Sequence, residues 1–489
     1  MIYKKSIFSI SPAVEVAYDL HLSAALMRAC VSGQRSEAAL FRDAREFRSK
    51  LLDDSNTDWK DGFSLQKIME DKALRAPFTG SRKPKNEAEI NAAARHIPIS
   101  VNLAMVTDFV RTDSDKLWAV GDRMALMVRR GAPDQAQYNR VMNAISEDVG
   151  DCWASFVNFK INELAKKSQL SLEDANIVDR LTCRSRTPQN HEQTITSEDS
   201  ELRALLYPFA PGFFVSVDAL SRWKSRLLSS HFASLLDSLL RLHAFSEVRY
   251  LAMANSLLFD LALSADQQSY SEDDIREKFK SLQQRCALSS DANLNEEIES
   301  CANLLELARF FFNSFDDDYN IGHKISSVSN IAIWFSQIRS GDPIFNRIKN
   351  RLRSSFDNGT QARKIKNSPA LKNFKEFLKY VVQQGTVDKG LDGEFDQSYW
   401  AKKSGNYRAA PWKMCISPVG SLLFAGLACR GLPSCTFSDI AVRMKQAGLA
   451  VSKSGKDQLQ VNLKSLGLTI DSPDGVGGFL VSNPFKTTP

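Results

Sequence analysis

Residues 418–485 read PVGSLLFAGLACRGLPSCTFSDIAVRMKQAGLAVSKSGKDQLQVNLKSLGLTIDSPDGVGGFLVSNPF, a stretch that resolves into three short helices followed by a two-stranded hairpin. Leu422, Leu423, Phe424, Leu427 and Ala428 recur at the spacing of one apolar helix face. Gly431-Leu432-Pro433 turns the chain. Thr436 is placed to cap a second helix, with Asp439 three residues on as a weak form of the capping box. On that helix Ile440, Ala441 and Met444 face inward, and Gly448 ends it. Ser452 or Ser454 caps a third helix, where Leu459, Leu463 and Leu466 hold one face and Gly467 is the stop. Leu468-Thr469-Ile470 and Phe479-Leu480-Val481 then flank a turn rich in aspartate and glycine, as a hairpin loop requires.

Charge sets this end of the chain apart. The net charge is +6, but eleven Lys/Arg face four Asp/Glu in 401–489, a net of +7, and ten face three in 341–380, again +7. Residues 381–400 carry −3, so the last 149 residues hold +11 and residues 1–340 hold −5. A basic end on a mildly acidic body is the layout expected where that end meets a polyanion. The plainer alternative is a basic surface facing the acidic body of the same chain.

In element order and charge, residues 418–485 resemble the winged-helix family of helix-turn-helix domains. The likeness covers about one-seventh of the chain and rests on no invariant motif. It implies that the third helix enters the major groove of double-stranded DNA. The positions it would present there are Lys456, Gln460 and Lys464, with Lys453 at the helix start. These residue types contact phosphates or base edges. Arg443 and Lys445 on the second helix are placed to touch the backbone. The wing departs from the pattern, because its tip carries Asp471 and Asp474 and no base; phosphate contact is not expected there. Many winged helices bind proteins instead, and that alternative stays open.

Upstream, the chain reads as helix after helix, giving a mainly α fold class: a multi-helical body with a winged-helix-like C-terminal domain carrying a small β-hairpin. Ser11-Pro12 opens a helix with Val14, Ala17, Leu20, Ala24 and Met27 at helical spacing, and Gly33 closes it. Further helical patterns cover 36–52, 87–95 and 100–131, and Gly131-Ala132-Pro133-Asp134 separates the last of these from a long one over 135–168. Leu228, Phe232, Leu235, Leu239 and Leu242 form a heptad-like seam that Leu236 and Leu240 widen into a core face. Its short length favours a buried bundle element over a coiled-coil surface. Residues 384–411 read as a linker that packs partly by Tyr399, Trp400, Tyr407 and Trp412. The expected domains are an N-terminal helical domain (1–205), a central helical domain (206–340), a basic helical segment with linker (341–411) and the winged-helix-like domain (412–489). No apolar run approaches bilayer length, and eight scattered cysteines without Cys-x-x-Cys fit a reducing compartment. The expectation is a cytoplasmic protein without membrane contact.

Chemistry-bearing patterns are sparse. Ser454-Gly455-Lys456 lacks the upstream glycine of a phosphate-binding loop, and neither His-Glu-x-x-His nor Gly-x-Ser-x-Gly occurs. The six histidines are dispersed and read as structural. Cys429 and Cys435 are near in sequence but lack further ligands for zinc. Asp316-Asp317-Asp318 beside His323 reads as a solvated acidic loop rather than a cation site. Arg186 and His191 have the spacing of HEPN-type helical ribonucleases, with Pro188 set between them. No cofactor, metal or catalytic residue is expected. The leading expectation is a non-enzymatic, DNA-associated accessory subunit of a multi-protein complex. A partner ATPase or nuclease would supply any catalysis, as in genome-maintenance or anti-phage assemblies with kleisin-like subunits. The alternatives are a protein-binding adaptor and a HEPN-like ribonuclease.

Overall fold

The computed structural model describes residues 22–29, 120–146, 162, 166, 200–227, 229–265, 268–304, 327–339, 343, 346, 375, 377–379, 381–382, 400–404, 410–470 and 479–485. Several features read from sequence lie outside them: the Ser11-Pro12 cap and Gly33, the helix over 36–52, Arg186 with His191, Asp316-Asp317-Asp318 with His323, most of 341–380, and the wing residues Asp471 and Asp474. Of the described residues 73% are helical, so the fold class is mainly α. In chain order the helices are α1 (Leu22–Ala29), α2 (Val120–Gly131), α3 (Gln135–Ser146), α4 (Ser200–Leu206), α5 (Ala210–Trp223), α6 (Ser229–Ser264), α7 (Glu272–Arg285), α8 (Val328–Arg339), α9 (Pro418–Cys429), α10 (Phe437–Gln446) and α11 (Lys453–Ser465). The strands are two or three residues long: β1 (Leu288–Ser289), β2 (Ala401–Lys403), β3 (Trp412–Met414), β4 (Ser434–Thr436), β5 (Leu449–Ala450), β6 (Thr469–Ile470) and β7 (Leu480–Ser482). No single helix among the described residues is long and apolar enough to cross a membrane.

The chain groups into two compact units. One comprises Asp19–Glu192 and Phe213–Leu240. Here α1 packs on α2 through Leu22, Leu26 and Met27 and through Met124, Met127 and Val128, all buried. The turn after Gly131 is closed by Asp134, whose Oδ1 accepts from the Gln137 amide at 2.7 Å and so starts α3. Buried Lys224 donates to the Ile145 carbonyl and lies 5.3 Å from the Phe232 ring centroid. Its charge is thereby given an acceptor and an aromatic face.

The second unit comprises Met1–Tyr18, Gln193–Gly212 and Arg241–Pro489. Helix α6 begins in the first unit, where Leu235, Leu236, Leu239 and Leu240 are buried, and continues into this one, where Leu242 is buried. So are Phe245, Val248, Tyr250, Leu251 and Leu258 further along it, and the polar Arg241, Glu247 and Asn255 of the same helix are buried as well. The buried-element reading of the leucine seam therefore describes this helix. His243 is also buried, and desolvation lowers its pKa to about 3, so the imidazole is neutral. Arg276 on α7 joins α4 by ion pairs to Glu201 at 2.6 Å and, within its own helix, to Glu272 at 2.7 Å. Ser329 of α8 donates to Glu272. A Ser271–Asp274 capping box begins α7.

Short strands fasten the C-terminal residues to the rest of this unit. β1 pairs in parallel with β5, Leu288 opposite Leu449 and Ser289 opposite Ala450. β2 and β3 form an antiparallel hairpin, and Asn293 bridges to Lys413. Trp400 is fully buried, and its carbonyl accepts from the Cys415 amide at 2.8 Å. Its ring meets Phe424 edge-on at 6.0 Å and lies so close to Gly420 that a Cβ there would sit 2.4 Å from Cη2. Of the aromatics expected to pack the linker, Trp400 is buried beside a strand and Trp412 is half-buried, while Tyr399 and Tyr407 lie outside the described residues. These pairings are too short to give the alternation that marks a strand in sequence.

Candidate nucleic-acid interface

Local chemistry builds residues 417–470 and 479–485 as one packed arrangement. Ser417 caps α9 by accepting from the Gly420 amide at 3.0 Å, with Pro418 at the first helical position. The helix ends at Arg430, whose φ of 48° is left-handed, and the turn continues through Gly431. Strand β4 follows, an element absent from the sequence reading. Thr436 then caps α10 in a full capping box: its Oγ1 accepts from the Asp439 amide at 3.2 Å, and Asp439 Oδ2 accepts from the Thr436 amide at 2.9 Å. Gly448, at φ 91°, turns the chain out of α10 against Ser246. Of the two candidate caps for α11, Ser452 is the one used, accepting from the Gly455 amide at 3.1 Å.

The strands close the arrangement as an antiparallel sheet in the order β4–β7–β6, with Cys435 opposite Val481 and Thr469 opposite Val481. Leu423, Phe424, Leu427, Ile440, Met444, Leu459, Leu463 and Val481 are buried. Ala441 is half-buried and Leu466 is exposed, so these two contribute less to the core than their spacing suggested. Leu466 is the C-cap residue of α11, where the helix face is already turning away. Asn462 pins α11 to α9, donating from Nδ2 to the Ile416 carbonyl at 2.8 Å and to Ser421 Oγ at 2.9 Å.

Against this frame Lys453, Lys456, Gln460 and Lys464 fall within an arc of about 80° on α11, and Lys453 and Lys464 are about 16 Å apart along its axis. The three lysines are exposed and Gln460 is half-buried. None of the three lysines forms an ion pair among the described residues. Asp457, also exposed, lies about 20° beyond the edge of that arc and dilutes its charge. Val461 borders the arc and is 61% exposed. Arg443 and Lys445 stand on α10 instead. Arg443 is half-buried and donates to Gln446 Oε1 at 3.0 Å. Burial, then the neighbouring charge of Arg430, lowers its pKa. Arg430 is a cation at this place that the sequence reading passed over; the signal available was its position between a helix end and Gly431. Exposed Lys445 is close enough to Cys286 to oppose, with Arg249, the upward push of burial on that thiol.

The N-terminal end of α11 is engaged by residues far upstream. Ser290 Oγ accepts from the Ser452 amide at 3.0 Å, and Ser454 Oγ donates to Asp291 Oδ2 at 3.0 Å. A Cβ on Gly455 would lie 2.0 Å from Ser290 Oγ, so glycine is required for this approach. Hydrogen bonds from Ser289 and Ser454 hold the Asp291 carboxyl below its ordinary range.

Cys429 and Cys435 are both buried and unbridged, and a hydrogen bond between them pushes the Cys435 thiol up and the Cys429 thiol down. Among the described residues no three or more His, Cys, Asp or Glu side chains are grouped to hold a metal ion. No protein-family model matches the chain, and no curated protein matches it.

Proposed function

We propose that the chain is a DNA-associated accessory subunit, with residues 412–489 as a winged helix whose helix α11 faces double-stranded DNA. The helical body then carries contacts to other protein subunits, and an ATPase or nuclease activity belongs to a partner chain. A bacterial genome-maintenance or anti-phage complex is the setting this division of labour fits. The observation that carries the reading is the arc on α11 of exposed Lys453, Lys456 and Lys464 with half-buried Gln460, the three lysines free of ion pairs among the described residues. The helix–strand–helix–strand–helix–strand–strand order supports it, with the strand after the first helix pairing with the last strand; the short strand between the second and third helices pairs outside the sheet, with β1.

The test is duplex binding across a salt series. With Lys453, Lys456, Lys464 and Arg443 each meeting a phosphate, log affinity falls against log salt with a slope of roughly −3 to −4. The double variant Lys456→Glu, Lys464→Glu abolishes that binding. Unchanged affinity rejects the assignment.

A second reading, a protein-binding adaptor, is favoured by a different observation. Exposed apolar side chains are concentrated on the same residues: Leu432, Val442, Val461, Ile470 and Leu480, with Ile470 and Leu480 directly opposite across β6 and β7. A wild-type protein that ignores duplex DNA at every salt concentration selects this reading.

A further inference from the structure

The β2–β3 hairpin presents a charge arrangement that its own packing does not explain. Ala401 and Met414 are paired and buried, whereas Lys402 and Lys413, the next pair, are directly opposite each other and exposed. Their Cβ atoms are therefore about 4.5–5.5 Å apart, and like charges in that position destabilise a hairpin. Neither ammonium group forms an ion pair among the described residues. On the opposite face Lys403 Nζ lies 5.7 Å from the Trp412 ring centroid. The ribbon is anchored on both sides, by the bond from the Cys415 amide to the buried Trp400 and by the Met414 amide, which donates to Ala292 at 3.0 Å. The register thus places two lysines directly opposite on one exposed face, where an anion lying between them offsets their repulsion.

The hairpin is also tied to α11. Lys413 bridges to Asn293, two residues beyond it in the chain is Asp291, and Asp291 accepts from Ser454, the neighbour of Lys453. Counting one bridge, the two-residue step back through the turn to Asp291 and one side-chain hydrogen bond, the Lys413 backbone lies within about 20 Å of the α11 N-terminus. That is comparable with the width of a major groove, about 12 Å.

We propose that Lys402 and Lys413 form a second phosphate-binding element, which grips the backbone of the same DNA duplex that α11 faces. The proposal rests on the reading of α11 as duplex-facing. Charge complementarity and the short tie to α11 select the duplex as the occupant.

The full-length chain is titrated with a short labelled duplex across a salt series, as wild type, as K402Q/K413Q and as K456E/K464E. K402Q/K413Q is expected to make the log–log slope shallower by about 1.8, for two phosphates lost, and to weaken binding by tens of fold at about 0.1 M salt. K413E replaces the like-charged pair by an opposite pair, so its thermal midpoint rises while its duplex affinity falls. Opposite signs in the two measurements exclude misfolding as the cause. An unchanged slope in K402Q/K413Q, beside lost binding in K456E/K464E, overturns the hairpin element and leaves the α11 reading intact. Lost binding in K402Q/K413Q with none lost in K456E/K464E overturns the α11 reading and keeps the hairpin. A wild type that binds no duplex overturns both.

Discussion

His243 shows how much one buried side chain can commit the chain to a pH range. Its imidazole is fully enclosed, and desolvation lowers its pKa from 6.5 to about 3. Above about pH 6.5 neither the folded nor the unfolded chain binds a proton there. Below that, the unfolded chain takes up a proton that the folded chain refuses. Stability then falls by about 1.4 kcal/mol per pH unit until the pH nears the folded value. Hydrogen-bonded carboxylates such as Asp274, Asp291 and Asp439 are lowered in pKa, so their own loss begins only near and below the ordinary carboxylate range of about 4. The difference between wild type and a His243 variant in urea unfolding at pH 7 and pH 5 isolates this histidine from the other five. The variant His243→Gln should lose this share of the dependence in that window, whatever its own stability at pH 7. An unaltered dependence would show that the proton goes elsewhere.

At the level of elements, α10 depends on the reciprocal bonds between Thr436 and Asp439. Thr436→Ala removes the oxygen that accepts from the Asp439 amide and should lower stability by about 0.5–2 kcal/mol in chemical denaturation. That cap was legible in the sequence, as were the stops at Gly448 and Gly467, because capping acts over three or four residues. The helical body was legible for a related reason: Leu235, Leu239 and Leu242 recur at a period that only a helix can bury on one side. The positions of Lys453, Lys456 and Lys464 along one arc followed from the same period. What the sequence withheld was pairing between distant residues. β4, β5 and the strands of the β2–β3 hairpin are two or three residues long, and β4 and β5 take their partners from distant segments, so no local pattern records them. Arg443 was placed on the right helix, but its half-burial beside Arg430 depends on where the preceding helix ends.

Across the molecule, residues 412–485 lean on segments outside them. Trp400 fills the space over Gly420, Ser290 touches Ser452 and approaches Gly455, and β5 takes its partner from β1. A fragment of 412–489 produced alone lacks all three. It should show a lower thermal midpoint, or no cooperative transition, when followed by circular dichroism beside the full chain; an equal midpoint would mean that these supports carry no stability.

The bond between Ser290 and Ser452 joins residues 162 positions apart. At about 5–20 residues per second of synthesis, the ribosome needs roughly 8–30 s to deliver the second partner after the first. Throughout that interval the nascent chain shows Leu288 and its neighbours to the cell without their final cover. A premature stop upstream of Leu449 would leave Leu288 without its strand partner for good.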